Sequence, residues 1–330
     1  MMMKDFCYRY VVAMALVAVS LSSCTKTSVS GDEEEGMVVR FGKTDVVSRA
    51  AITNEGFLAE GNSFQVWGAY RSTTDASFTP TLVFNGTNVT REGEAWTYTD
   101  MRYWLPGFRY NFRALYPVDL EGVTFDENAV LLSIAEYDGR GQDDILYAAP
   151  GEIKAVQGMM PAVALDFRHV LSRVVFVGAV LPALGKEVTV TSVKVYGMAV
   201  KGKWTGTAEA PCGTWTASGE RATDVLPYAS NNSGVRFPTT GESRVVLEVL
   251  MIPQSIPADA VVEITYNYGD GVNRTQRANL NAVSVSFGAT WKPGAGYRYS
   301  FTVGDADYIL FERPAVTEWI DADGGNYIIQ

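Results

Sequence analysis

The stretch "SFQVWGAY" (63–70) decides the fold class. Phe64, Val66 and Gly68 alternate with Gln65, Trp67 and Ala69, and a two-residue period sends alternate side chains to opposite faces of a strand. "RYNFRALYP" (109–117) repeats the pattern, placing Tyr110, Phe112, Ala114 and Tyr116 on one face. "EVTVTSVKVYGMAV" (187–200), "SRVVLEVLMI" (243–252) and "VVEITYNYGDG" (261–271) read likewise, and the "YGDG" that ends the last is a hairpin turn. Short runs of Val, Thr, Tyr, Phe and Trp cut by Gly, Asn, Asp and Pro predict an all-β chain of sandwich type. Only "MRYWL" (101–105) and the surroundings of His169 leave room for a short helix.

The N-terminus has a different character. Lys4 and Arg9 lead into the apolar run Val11 to Val19, which is too short to span a bilayer as a helix and has the pattern of a signal peptide. Leu21, Ser22 and Ser23 before Cys24 resemble the lipobox of bacterial lipoproteins, which implies cleavage between Ser23 and Cys24 and acylation of Cys24. Several acyl chains, at about 0.8 kcal/mol per buried CH2, anchor a protein durably where one chain does not. The plainer alternative is a secretory signal that happens to contain a cysteine. Of the three cysteines, Cys7 leaves with the signal and Cys24 carries lipid, so Cys212 has no partner for an internal disulfide.

Residues 24–36, with the acidic run Asp32 to Glu35, lack an apolar period and read as a flexible tether. The acids also resemble the export signal of surface lipoproteins, although they lie several residues beyond the cysteine; a solvated spacer is the alternative. A formal net charge of −10 argues against nucleic acid, whose binding needs clustered Lys and Arg. After the signal, no run is long and apolar enough for a membrane span. The Gly and Pro break at 158–161 divides the remainder, giving a signal peptide at 1–23, a tether at 24–36 and domains at 37–160 and 161–330.

Six pieces in order, "QVWGAY" (65–70), "YNFRALYP" (110–117), "DDILYA" (143–148), "LDFRHVLSRVVF" (165–176), "YRYSFTV" (297–303) and "PAVTEW" (314–319), resemble the fimbrillins, or type V pilins and related adhesins, of Bacteroidales. The resemblance implies two tandem transthyretin-like β-sandwich domains, made as an outer-membrane lipoprotein precursor and assembled with other fimbrial subunits into surface fimbriae. It also implies that an arginine-specific protease removes the first strand. Here that strand contains Met37, Val39 and Phe41 on one face, and the cut falls between Arg49 and Ala50. An opened groove would expose unpaired backbone groups and an apolar floor, which a strand from another subunit can fill. The candidate donor is the C-terminal end, where Gly324 and Gly325 precede Tyr327, Ile328 and Ile329. An ordinary last strand in its own sheet, and an ordinary surface arginine at 49, are the alternatives.

Catalysis finds little support in these residues. The chain has one histidine, His169, and a Cys212/His169 nucleophile pair lacks an evident orienting group. His169 reads as a packed or hydrogen-bonded structural residue. Asp143, Asp144 and Asp166 lie in the fimbrillin-like pieces, and "DADGGN" (321–326) lacks the distal Glu of a calcium loop. No cofactor or metal motif is present, and the expectation is a protein that is not an enzyme. The competing reading is a monomeric surface lipoprotein that binds host or bacterial glycans through exposed aromatics, with Trp96, Trp104, Trp204 and Trp215 as candidates.

Overall fold

A computed structural model describes residues 37–46, 54–219, 221, 234–305 and 308–319. In the first part the strands are Phe41–Val46 (β1), Ser63–Ser72 (β2), Thr81–Glu92 (β3), Ala95–Thr97 (β4), Phe108–Tyr116 (β5), Val123–Asp126 (β6), Leu131–Asp138 (β7), Leu146–Ala148 (β8), Ile153–Lys154 (β9) and Val163–His169 (β10). Then follow Ser172–Val180 (β11), Val188–Tyr196 (β12), Lys201–Gly206 (β13), Thr214–Ala217 (β14), Val235–Phe237 (β15), Arg244–Met251 (β16), Val261–Asn267 (β17), Arg274–Asn279 (β18), Ala295–Val303 (β19), Ile309–Phe311 (β20) and Ala315–Glu318 (β21). The chain is all-β, as the period-two stretches predict.

The first sheet has the order β2-β3-β4-β1-β10-β8-β5-β9, and β2 also pairs with β5, so seven of its strands close a ring. Two joints of the ring are thin. β1 meets β4 only at Phe41 and Trp96, and β10 meets β8 only at Arg168 with Tyr147 and His169 with Leu146. The ring therefore works as two layers joined at corners, with Phe64, Val66, Phe84, Phe112 and Phe167 buried between them. β10 follows the break at 158–161 and completes this sheet.

The second core lies between the sheet β16-β11-β19, edged by β20 and β21, and the sheet β15-β12-β17-β18. Phe176, Val193, Ile264 and Tyr299 are at its centre. The "YGDG" turn joins β17 to β18, with Tyr266 opposite Arg274 and positive φ at Gly269 and Gly271. A fourth sheet, β14-β13-β7-β6, takes strands from both halves of the chain. It shares a third apolar cluster with the outer faces of β2 and β5, through Trp67, Leu115, Ile134, Trp204 and Trp319.

The helix expectations are corrected. "MRYWL" is not helical: Tyr103 bridges Val38, and Trp104 is buried while Met101, Arg102, Tyr103 and Leu105 are exposed. His169 ends a strand whose residues alternate buried and exposed throughout. Among the described residues, the single-turn α-helices lie elsewhere, at Asn54–Phe57 and Leu280–Val283. The second is started by the Asn279 side chain, which accepts from the Ala282 N–H as an N-cap. Backbone pairing with residues 37–39 decides "MRYWL", and so short a segment has no propensity strong enough to oppose it.

Candidate strand-exchange site

The site is built on β10. Val163, Leu165, Phe167 and His169 are buried, while Ala164, Asp166 and Arg168 face out. β1 lies parallel to it, from Phe41 opposite Val163 to Val46 opposite Phe167, with an irregularity between Gly42 and Thr44. Gly42 permits the close approach, since a Cβ there would stand 2.7 Å from that of Ala162. Among the described residues, Val163 to Phe167 have no strand partner except β1.

The segment before β1 switches partner. The Val39 N–H donates to the Arg102 carbonyl at 2.8 Å, and the Trp104 N–H to the Met37 carbonyl at 2.7 Å. The Val163 N–H donates to the Arg40 carbonyl at 2.7 Å. Val39 is fully buried, and its carbonyl accepts from the Tyr98 hydroxyl. Burial raises the Tyr98 pKa above its ordinary 10, which keeps that hydroxyl a donor. Phe41 sits in an aromatic cage, with ring centroids 5.5 Å from Phe84, 6.0 Å from Tyr98 and Phe112, and 6.3 Å from Phe64.

Lifting this segment out would therefore strip the cage of its central ring and leave the Trp104 and Val163 N–H groups and the Arg102 carbonyl without partners. Each buried backbone group left so costs about 1–3 kcal/mol. Once emptied, the slot would be apolar at its floor and offer backbone groups along one wall, which suits it to an extended peptide. Met37, Val39 and Phe41 form one buried or half-buried face.

At the other end of the chain, β21 pairs antiparallel with β19, from Ala295 opposite Glu318 to Arg298 opposite Ala315. The next residue, Trp319, is buried and donates its N–H to the Gly294 carbonyl at 3.0 Å. Its ring stacks on His169, with centroids 3.7 Å apart and planes inclined by 9°. His169 Nδ1 lies 2.8 Å from Asp144 Oδ1, both side chains almost wholly buried. Sequence reasoning missed this cluster, because its three members come from segments far apart in the chain.

Ser23, Cys24, Arg49, Ala50, Tyr327, Ile328 and Ile329 lie outside the described residues. The imidazole of His169 is engaged by Asp144 and Trp319, as fits a structural histidine. Of the proposed sugar-stacking aromatics, Trp96, Trp104 and Trp204 are at most 6% exposed and belong to the cores. Trp215 is half-buried and donates to the Val170 carbonyl. Trp96, Trp104 and Trp204 thus offer no stacking face, while Trp215 stays partly exposed.

No curated protein matches the chain. Among solved structures, it is similar to a fimbrial protein from Bacteroides vulgatus, with 15% identity, a TM-score of 0.57, and coverage of 86% of this chain and 99% of that one. It is also similar to a candidate cell adhesion protein from Bacteroides uniformis, with 16% identity, a TM-score of 0.51 and coverage of 86% and 98%. At such identities the likeness shows a shared fold. A family model described as fimbrillin-like matches residues 48–319, most of the chain's length, and on that match the chain belongs to the fimbrillin-like family.

Proposed function

We propose that the chain is a fimbrial subunit, exported as a precursor lipidated on Cys24 and held at the outer membrane, which polymerises by strand complementation. Residues up to Arg49 are removed by an arginine-specific protease, and the C-terminal strand around Tyr327, Ile328 and Ile329 of another subunit fills the slot along β10. Family membership supports the fimbrial role. The carrying observation for the mechanism is that Val163 to Phe167 pair with β1 and, among the described residues, with no other strand.

The energetics favour exchange. An emptied slot leaves backbone groups unpaired and apolar surface wet, at about 25 cal/mol per Å². A neighbour's strand restores both, so elongation runs downhill without an external energy source. The direct test treats purified full-length protein with an arginine-specific protease and follows size by light scattering. Release of a fragment ending at Arg49, followed by growth of polymers, is the expected result. An Arg49→Ala protein that polymerises as fast as the parent under the same protease would refute the processing step.

A further inference from the structure

Strand β10 serves both ends of the chain. Its first five residues pair with β1, and His169, two positions beyond the last of them, carries the Trp319 ring on its face. Trp319 immediately follows β21 and immediately precedes residues 320–330, which contain the candidate donor residues Tyr327, Ile328 and Ile329. Leu171, just past β10, accepts from the Gly294 N–H, and Gly294 in turn accepts from the Trp319 N–H. The root of the C-terminal segment is thus fastened to the end of the strand that holds the N-terminal one.

We propose that the His169–Trp319 stack is a latch coupling the two ends: while β1 lies on β10, β21 and Trp319 stay docked on their own body, and loss of β1 loosens them. With β1 gone, β10 keeps only its two pairs with β8, at Arg168 and His169. Val163 to Phe167 lose their in-sheet neighbour, and the strand is then held along that stretch by side-chain packing alone, as of Phe167 on Phe57 and Phe64. Asp144 orients the imidazole through Nδ1, but the ring's location is set by the backbone of β10. A strand held at two pairs places that ring less firmly, and the buried Trp319 depends on it for one face.

The latch gives assembly an order. A subunit whose slot is still filled keeps Trp319, the root of the candidate donor, fastened, and opening the slot and loosening that root happen together. This use rests on the strand-exchange reading; the mechanical coupling does not. Coupling between sites is reciprocal, so disturbing either end shifts the other by the same factor.

Hydrogen exchange with mass spectrometry on the full-length chain tests it from both directions. Phe41→Ala loosens β1 and should speed exchange at residues 315–319 by about tenfold, within the usual range of coupling between sites. Trp319→Leu should speed exchange at residues 163–167 by a similar factor, and Trp319→Phe, which keeps a stacking ring, should restore protection. A merely structural Trp319 would loosen 315–319 and leave 163–167 untouched, and that result overturns the proposal. So does unchanged protection of 315–319 in Phe41→Ala. Phe41→Leu gives the same reading should Phe41→Ala fail to fold. If coupling is seen but the processed chain neither polymerises nor binds a peptide of residues 320–330, the latch stands and strand exchange falls. If polymers form without coupling, the reverse holds.

Discussion

A synthetic peptide of residues 37–49, added to the chain that begins at Ala50, should bind in the slot it occupies in the precursor, and Phe41 should dominate its affinity. Phe41 is 4% exposed and meets four aromatic rings within 6.3 Å. Truncating a buried Phe to Ala costs about 3–5 kcal/mol, the lost transfer energy plus the cavity left behind. At about 1.4 kcal/mol per tenfold, the Phe41→Ala peptide should bind roughly a hundred- to a few-thousandfold more weakly. The bound segment is short and both peptides lose similar backbone entropy, so that term cancels in the comparison. Isothermal titration reads the two affinities directly. If the Phe41→Ala peptide binds as tightly as its parent, the cage does not hold the first strand and the slot is not the acceptor.

Other outcomes follow from the same geometry. The Tyr98 pKa is raised in the filled slot, so the hydroxyl's contribution is fully present below pH 10 and is lost as pH rises through the raised value; peptide affinity should fall there, and Tyr98→Phe should remove that fall. Gln142 donates to the Leu250 carbonyl and accepts from the Leu250 N–H, both at 2.7 Å, tying the loop after β7 to β16. Gln142→Ala should cost about 1–3 kcal/mol for each backbone group left unpaired, measured by denaturant unfolding. Replacing Trp96, Trp104 or Trp204 should destabilise the protein through its cores, which thermal unfolding reports, and should reveal no specific loss of glycan binding on an array.

Alternation at 63–70 and 109–116 identified β2 and β5 because a half-buried strand writes its faces into the sequence. The ring made by β1 and β10 was not legible: period two says which side chains share a face, and says nothing about which strand lies alongside. Trp67 and Leu115, on the opposite faces of their strands, are buried because a second layer, drawn from β7 and β13, covers them. The role of Met37, Val39 and Phe41 as one face was readable, whereas their change of partner from residues 102–104 to β10 depends on backbone hydrogen bonds between distant segments. Asp144, His169 and Trp319 each appeared within a fimbrillin-like piece, yet nothing local marks them as neighbours.

The central claim is that an emptied edge of one sandwich is completed by a strand from another subunit. Sedimentation of the chain cut at Arg49, compared with the same cut chain lacking Asn326 to Gln330, tests it most directly. The account predicts long polymers from the first and none from the second, with the fold of both intact by circular dichroism. Polymers of equal length from both, or a lasting monomer from the first, would contradict it.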